Sequence, residues 1–489
     1  MMSSTVPLLR PAAKPHLRRH LTPLSLTSYS LSLLGVTGSI PATISFPLLT
    51  GGPATAIYTW ALGSLMSLTI AFSVSELVSA YPTAGGMYFV TRHVVPARHL
   101  PFAAWCVGWA NLLGQIAGAT GLVWSVAEMA AVGWGGAETS RGVTVVMAGS
   151  VLAVCGLVCS LSTRRIHNIV IWFAPLNLLI ASLLLAVLLT HPHKHPLHHV
   201  LTDFTSPFNL PIPFNFLLGF TSVTYTLTAY DGTTHLSEET RSPSRANPLA
   251  INTAITTSAL LGLALTTCIC LCTPSPPPRS PLAYALQTSS LPPVAASALW
   301  AAVIALQSFT AFCALLAAGR MMFAFSRDGA LPAYFSHIND TTRTPLRAVW
   351  GTVAGCVLLL ALGSASEEGM VGVFNLTAPM LDASYAVVIW ARWHWASEMR
   401  WKAGDWGLGQ WSRTVNKVAV TWVGCMAAVL MLPVRWPVRW ENMNYAPVVA
   451  VVGGILVLGS WEAGKRRYDA VSDHTSCRLG VVRAKVRFY

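Results

Sequence analysis

Charged side chains are scarce in this chain of 489 residues, where Asp, Glu, Lys and Arg together make up 10% of the positions. A soluble globular protein carries about a quarter charged residues, so this chain has too few polar groups to cover a water-soluble globule. Acidic residues are the scarcer kind, 18 against 31 basic ones. Because a positive net charge alone does not indicate nucleic-acid binding, the composition predicts an integral membrane protein with the lipid bilayer as a partner and no nucleic acid.

The chain also lacks the sequence signatures of catalysis and of tightly bound metals. It contains no nucleotide-binding glycine loop, no H-E-x-x-H pair and no nucleophile motif. Cys268, Cys270 and Cys272 alternate, a spacing that matches no C-x-x-C zinc or redox pair. Five histidines cluster in residues 191–199, but prolines interrupt any helical spacing there. We therefore expect no enzyme activity, no cofactor and no metal site, and we see no cleavable signal peptide.

Long apolar runs are what the chain has in abundance. Hydrophobic residues make up 53% of it, and its mean hydropathy is +0.55. A helix needs about 20 mostly apolar residues to cross a bilayer. The sequence thus predicts twelve spanning helices, near residues 27–50, 54–79, 101–133, 143–162, 167–190, 211–236, 249–272, 294–326, 346–363, 367–392, 414–433 and 445–462. The third and eighth runs are long enough to tilt or to extend beyond the bilayer.

The distribution of basic residues tests this arrangement. With both termini on one side of the membrane, 26 of the 31 Lys and Arg residues fall on that side and 5 on the other. Cytoplasmic loops carry such an excess. The sequence therefore predicts cytoplasmic tails at residues 1–25 and 463–489, which flank a membrane domain at residues 26–462.

Two of the twelve runs contain residues that disfavour a continuous helix. The first includes Gly35, Gly38 and Pro41, and we expect its backbone to unwind over residues 36–43. The sixth contains a series of hydroxyl residues that ends at Asp231. Some transporters place a discontinuous helix at the same position of two repeats, where half-helix ends face the substrate and the coupling ion. A proline-kinked packing helix is the alternative reading of the first run.

Asp231 is the ionisable residue that matters most in this pattern, because a charge within a membrane is costly and is by default a functional candidate. It could face a cationic group of a substrate, accept a coupling proton or hold a helix junction through hydrogen bonds. His235, four residues further, could relay a proton or simply be a buried histidine at the helix end. The residues alone leave these roles open.

Four motifs along the chain resemble those of the amino acid–polyamine–organocation superfamily. They are "SELVSAYPTAGGMYFV" at 75–90, "AYDGTTHLSEETRSPSRANPLAI" at 229–251, "FAFSRDGALP" at 323–332 and "LPVRWPVRWENMNYAPVV" at 432–449. The last is typical of the fungal GABA, amino acid and choline permease subgroup. The resemblance extends over residues 25 to 465 and specifies the family but not the substrate.

This resemblance implies an all-α membrane protein of twelve transmembrane helices, with a five-plus-five inverted repeat at residues 27–190 and 211–392 and with helices one and six broken. Carried over by position, the substrate-binding residues would be Thr37, Gly38, Ile40, Pro41, Ala42 and Thr43 from the first helix and Tyr225, Thr226, Thr228, Ala229 and Asp231 from the sixth. Asn111 and Gln115 on the third helix are polar and one turn apart, so both could reach the cavity. The eighth helix offers Phe309, and the tenth offers Asn375, Asp382 and Tyr385 as further candidates. Many members of the family have a glycine at the position of Ala229. A small residue is common in the family at the position of Pro41.

The gating residues implied by the same resemblance are Glu76, Gly85, Gly86, Glu238, Glu239 and Arg327. The two glycines would allow a tight backbone course beside the bundle. We expect the two adjacent glutamates to pair with Arg92, Arg164, Arg165 or Arg327 when the cytoplasmic face is closed. Exposed pairs of this kind can also contribute nothing measurable.

The expected function is that of a secondary transporter that imports a small amino compound, an amino acid or a GABA-like substrate, with a proton as the coupling ion. A choline, ethanolamine or polyamine carrier is the alternative within this class, in which aromatic faces and one acid would hold a cation. A non-transporting substrate sensor is the alternative from another class. The plasma membrane is the expected location and an internal membrane, such as the vacuolar one, the alternative; the sequence leaves the oligomeric state open.

Overall fold

The computed structural model describes residues 19–135, 140–205, 211–364, 367–399, 401–433, 438–439 and 443–478. Parts of both predicted tails, and parts of the fourth motif, lie outside these ranges. Within them the helices are α1 Pro23–Leu34, α2 Val36–Thr43, α3 Ser45–Ala80, α4 Gly86–Val94, α5 Leu100–Gly135, α6 Arg141–Cys159, α7 Thr163–Val170, α8 Phe173–Leu189, α9 Leu197–Thr202, α10 Ile212–Thr226, α11 Pro243–Cys272, α12 Pro281–Gln287, α13 Pro293–Arg327, α14 Leu346–Gly363, α15 Glu367–His394, α16 Ser412–Val429 and α17 Ala446–Arg478.

Regular structure in the described ranges is otherwise limited to three 3₁₀ helices, Tyr230–Glu239, Ala333–Ser336 and Gly409–Trp411, and to one isolated parallel β-bridge between Leu21 and Thr240. The all-α prediction is therefore confirmed. A helical segment lies at each of the twelve predicted apolar runs. Among the residues that the structure describes, eight helical stretches are long and apolar enough to cross a membrane, so the full count of twelve spans stays a prediction.

The first apolar run is broken, but one residue before the expected stretch. Between α1 and α2, Gly35 adopts a left-handed backbone with φ of +53°. This conformation costs about 1–2 kcal/mol in any residue with a Cβ, and a Cβ at Gly35 would lie only 2.0 Å from Thr310 Oγ1. The expectation that residues 36–43 unwind is wrong, because they form α2 and Pro41 removes an amide donor without ending that helix.

The sixth run is broken where the sequence predicted. Helix α10 ends at Thr226, and the chain resumes as the 3₁₀ helix Tyr230–Glu239, which carries Asp231. Ala229 is the junction, with a left-handed φ of +61°. An alanine in this conformation is strained, so Ala229 replaces the family's usual glycine at a position whose backbone favours glycine.

Burial separates central helices from peripheral ones. In the apolar windows of α5 and α15, 72% of residues are buried inside the protein, against 33% in α6 and 28% in the α7–α8 stretch. Leucines on α8, such as Leu179 at 55% exposure, face outward. A soluble protein rarely exposes a continuous apolar surface of this kind, whereas lipid suits it. The helices that carry both breaks and the central polar residues are therefore surrounded by lipid-facing ones.

Candidate functional site

A cavity of about 30 Å³ lies where the two breaks meet. Helices α1, α2, α5, α10, α13 and α15 contribute to its lining. Five predicted site residues line it, namely Gln115, Tyr225, Thr226, Thr228 and Ala229. Because a water molecule occupies about 30 Å³ of the liquid, the space is too small for an amino acid in this conformation.

Two hydroxyl groups at this cavity have no hydrogen-bond partner among the described residues. They are Oη of Tyr225 and Oγ1 of Thr226, and both atoms are buried. Buried polar groups are bonded in the great majority of cases, and an unsatisfied one costs about 1–3 kcal/mol. The two hydroxyls are therefore available to a polar ligand that enters the cavity.

Asp231 is completely buried and accepts hydrogen bonds from two helices. Asn111 Nδ2 donates to Oδ2 at 2.6 Å, the Tyr385 hydroxyl donates to Oδ1 at 2.6 Å, and Gln115 Nε2 donates to Oδ1 at 3.4 Å. His235 Nε2 lies 3.3 Å from Oδ2. An isolated buried carboxylate would be several kcal/mol unfavourable, and these donors offset that cost. Asp231 and Asn111 are not among the residues that line the cavity, but Gln115, which bonds to Asp231, does line it.

A second buried carboxylate lies on α15. Asp382 is 4% exposed and accepts a hydrogen bond from the Thr228 hydroxyl at 3.0 Å. Asn375, the other polar candidate on this helix, donates to Asn444 at 3.5 Å and thus contacts the segment before α17. Two of the three weaker candidates on α15, Asp382 and Tyr385, therefore bond to the broken segment.

The first run and α13 contribute other residues than the sequence indicated. The residues of the first run that line the cavity are Leu33, Leu34 and Ser39. Missing from the lining are the six predicted ones, Thr37, Gly38, Ile40, Pro41, Ala42 and Thr43. From α13, Thr310 and Ala314 line it, whereas Phe309 stacks on Phe173 with ring centroids 4.4 Å apart. The break at Gly35 lies one residue before the stretch that was predicted to unwind, and Leu33 and Leu34, just before it, line the cavity.

A larger cavity of about 630 Å³, here called the vestibule, lies on one side of the site. Trp124, Glu128, Arg141 and Arg279 are among its lining residues, and so is Phe374. The Phe374 ring contacts the Tyr225 ring at a centroid distance of 5.0 Å. Because Tyr225 lines the small cavity and Phe374 the vestibule, this aromatic pair lies between the two spaces.

Ion pairs lie at one end of the bundle, here called the arginine-rich end and defined by Arg92, Arg320, Arg327 and Arg392. Glu238 pairs with Arg327 at 2.9 Å, one of the expected pairings. Glu239 pairs instead with Arg320 at 3.0 Å. Arg164 and Arg165, which the sequence also proposed as partners, form no ion pair with a described residue.

Further contacts connect the other helices at this end. Asp328 accepts from the Tyr88 hydroxyl at 2.9 Å and lies 3.6 Å from Arg92. Glu76 pairs with Arg392 and accepts from the Ser412 hydroxyl at 2.8 Å. Every acidic residue proposed for the gate thus has a basic partner from another helix.

The loop between α3 and α4 contacts the broken segment directly. Gly86 has a φ of +56°, and a Cβ there would lie 2.8 Å from Cε1 of His235. Glycine is therefore required twice over, for the dihedral and for the close approach. His235 Nδ1 in turn lies 2.9 Å from the carbonyl oxygen of Ala84 in the same loop. Gly85 has ordinary helical dihedrals.

His93 on α4 lies at the arginine-rich end, outside the stretches that could span a membrane. Its ring stacks on that of Tyr81 at 3.8 Å. Burial, and secondarily the charge of Arg92, lowers the pKa of His93 to about 4. The ring is therefore neutral at physiological pH.

Sequence reasoning missed three residues that shape this region. Arg320 and Gln307 are polar residues inside the apolar run of α13, a signal that marks functional positions in membranes. Gln307 Nε2 donates to Ser125 at 2.8 Å and Ser39 donates to its oxygen at 3.2 Å. Phe374 has no distinguishing signal, because aromatic residues are common in such runs.

The chain is similar to known proteins over most of its length. The chain matches the family model described as "Amino acid permease" over residues 21–455. It is 35% identical to an uncharacterized amino-acid permease of Schizosaccharomyces pombe, over 94% of this chain and 88% of the relative. It is also 29% identical to amino-acid permease 2 of Neurospora crassa, over 93% and 86%, and 28% identical to amino-acid permease BAT1 of Arabidopsis thaliana, over 96% of each chain.

Proposed function

Since this chain belongs to the amino acid permease family and is a multi-pass membrane protein, we propose that it imports an amino acid or a GABA-like zwitterion by proton symport and alternating access. The observation that carries the proposal is the cavity between the two helix breaks, where the Tyr225 and Thr226 hydroxyls have no hydrogen-bond partner in the described part of the chain. A small ligand with polar groups would satisfy both.

The helix ends at the breaks provide groups of both signs for a zwitterion. The first amides of α2, which follow Gly35, have no preceding turn to bond to and carry the positive end of the helix dipole. They suit a carboxylate. The last carbonyls of α1 and α10 carry the negative ends, and with Asp231 they suit an ammonium group. In this proposal the substrate's charges are matched on both sides of the cavity.

Two barriers beside the cavity support the proposal of alternating access. The Tyr225–Phe374 pair separates it from the vestibule, and the ion pairs of the arginine-rich end separate it from the opposite face. By the excess of basic residues, we assign the arginine-rich end to the cytoplasm, both termini with it, and the vestibule to the outside. The proposed location is the plasma membrane.

Uptake of a panel of labelled amino compounds by permease-deficient cells that express this chain tests the proposal. We expect accumulation of an amino acid or GABA that a proton uncoupler abolishes. Competition by choline but not by amino acids would identify the cation carrier instead. Binding without flux would identify a sensor.

The matched variant is Asp231→Asn, with Asp340→Asn on an exposed loop as its control. Hydrogen bonds to a charged group contribute about 1.5–3 kcal/mol, so loss of the carboxylate charge should lower uptake on the order of tenfold or more. Unchanged uptake in Asp231→Asn would mean that Asp231 is structural and holds neither ammonium nor proton.

A further inference from the structure

The hydrogen bonds of His235 determine which of its nitrogen atoms carries a hydrogen. Nδ1 lies 2.9 Å from the carbonyl oxygen of Ala84. A carbonyl oxygen can only accept, so Nδ1 must be the donor. In a neutral imidazole the other nitrogen, Nε2, then has a lone pair and no hydrogen.

That lone pair would face a carboxylate. Nε2 lies 3.3 Å from Oδ2 of Asp231, and both side chains are completely excluded from solvent. Nε2 has no other hydrogen-bond partner among the described residues. Two acceptors at this distance in a low-dielectric site repel each other. One proton between them removes the repulsion, whether the pair is written as imidazole and carboxylic acid or as imidazolium and carboxylate.

The other neighbours of Asp231 do not supply this proton. Asn111, Gln115 and Tyr385 direct their own hydrogens at the carboxylate from α5 and α15. They leave the side that faces His235 to the histidine alone. The pair therefore has room for one proton beyond those that its neighbours donate.

The charged groups around the pair are mostly paired with one another. The titratable or charged groups on the elements packed against its segment include Tyr29 of α1, Glu76 of α3, Tyr88, Arg92 and His93 of α4, Arg245 of α11, Cys313, Arg320 and Arg327 of α13, Asp382 and Tyr385 of α15, and Tyr230, Glu238 and Glu239 of the segment itself. Glu76 pairs with Arg392, Glu238 with Arg327, and Arg92 with Asp328. Arg320 and Glu239 compensate each other at 3.0 Å. Tyr385 donates to Asp231, and Asp382 accepts from Thr228.

We propose that Asp231 and His235 together bind the one proton that crosses with each substrate, and that His235 couples its presence to the loop at Ala84. The inference rests on the proposed proton symport and assigns its proton site. With the proton bound, the imidazole bridges the substrate site and the loop between α3 and α4. When the proton is released to water on the cytoplasmic side, imidazole and carboxylate repel, the ring turns away, and its bond to Ala84 breaks. Because Gly86 lies against the ring, this movement displaces the loop that helps to close the arginine-rich end.

Two substitutions separate the two bonds of the imidazole. His235→Asn can place an amide near the Nδ1 position and still donate to Ala84, but has no atom near Asp231. His235→Gln can reach the Nε2 position and donate permanently to Asp231. Neither side chain binds or releases a proton in the physiological range. His337→Gln, on an exposed loop, is the control.

The experiment measures three quantities in permease-deficient cells. These are uptake against external pH, alkalinisation of the medium per substrate taken up, and exchange of internal for external substrate, which needs no net proton movement. We expect one proton per substrate for the natural chain and for His337→Gln. Both His235 variants should retain exchange but lose accumulation and the pH dependence of uptake. A His235 variant with the natural pH profile and proton ratio overturns the proposal.

A variant that neither accumulates nor exchanges is examined by substrate binding to purified protein across the pH range. A natural chain whose Kd changes up to tenfold per pH unit, beside a variant with a flat profile, supports the proton site. A variant with the natural slope, or one that binds at no pH although it is folded, overturns it. If the natural chain takes up no amino compound, the proposed function itself is wrong. If it takes up an amino acid at a rate that the uncoupler does not change, both proton symport and the proton site are wrong, while the chain is still a transporter.

Discussion

Arg320 and Glu239 form an ion pair of 3.0 Å in which both side chains are almost completely buried, at 1% and 2% exposure. Arg320 projects from α13, and Glu239 ends the 3₁₀ helix of the broken sixth run. Nη1 and Nη2 of the arginine have no further partner among the described residues. A buried pair whose donors are incompletely satisfied adds little net stability over an apolar contact, which suits a barrier that must separate during transport.

Removal of either charge alone should therefore be far more harmful than removal of both. Glu239→Gln or Arg320→Met alone leaves a buried charge unpaired and should destabilise the protein by about 3–5 kcal/mol. The double variant should lose much less, with a coupling energy of about 2 kcal/mol or more between the sites. Thermal unfolding of the four proteins in detergent measures this cycle. The exposed pair Arg98–Glu398, at 3.3 Å, is the control and should couple by less than about 1 kcal/mol. Equal coupling in both pairs would contradict the argument.

Ala229→Gly should stabilise the protein. The left-handed φ of +61° costs an alanine about 1–2 kcal/mol, whereas the greater freedom of glycine in the unfolded chain costs about 0.4–1 kcal/mol. The unfolding midpoint should rise by the equivalent of up to about 1 kcal/mol. Ala305→Gly, at an exposed position inside α13, should change stability in the opposite direction by about 1 kcal/mol. A lower midpoint for Ala229→Gly would show that this backbone is not strained.

Phe374→Ala should connect the vestibule with the small cavity. Loss of the ring removes one half of the Tyr225–Phe374 contact. A cysteine introduced at Thr228, which lines the cavity, should then react faster with a water-soluble thiol reagent added from outside. Val371→Ala, which changes another residue of the vestibule lining, is the control. If Thr228→Cys reacts at the same rate when it is combined with Phe374→Ala as when it is combined with Val371→Ala, the aromatic pair is not the barrier.

His93 should make the folded state sensitive to acid. Its pKa is lowered to about 4 by burial and by Arg92, whereas a histidine in the unfolded chain has a pKa of about 6.5. The free energy of unfolding is highest above pH 6.5 and falls as the unfolded histidine takes up its proton. It stops falling near pH 4, where the folded histidine takes up a proton as well. Because the ring is partly exposed, the effect should be about 1 kcal/mol. His93→Phe keeps the stack on Tyr81, and its unfolding midpoint should fall less over this pH range; parallel curves would contradict the assignment.

The sequence was most informative where one physical constraint dominates. Apolar runs of about 20 residues predicted where helices lie, because lipid tolerates little else. Asp231 stood out for the same reason, and it proved to be the centre of the polar cluster. Asn111 and Gln115, one turn apart on α5, reach the same carboxylate, as their spacing indicated.

The sequence was least informative where one residue type serves two purposes. Gly35, Gly38 and Pro41 all disfavour a helix, and only the structure shows that Gly35 alone provides the break. Phe309 and Phe374 are chemically identical, yet one stacks on Phe173 and the other contacts Tyr225. Which face of a buried helix meets a cavity is decided by packing against neighbours, because a helix that is apolar all round carries no face signal.

By itself the sequence determined the membrane class, the positions of the helices, the two interrupted runs and the single acid most worth testing. These depend on local properties: hydropathy, backbone freedom and the cost of a charge in lipid. Only the tertiary structure decided the partners, which are Glu239 with Arg320, Tyr225 with Phe374, and His235 with both Asp231 and Ala84. Most of these paired residues lie on segments that are far apart in the chain. Asp231 and His235 lie on one 3₁₀ helix, and the sequence pattern does not predict which way its side chains face. Hydrogen-bond geometry is a property of the packed bundle, and that geometry assigns a proton to the pair.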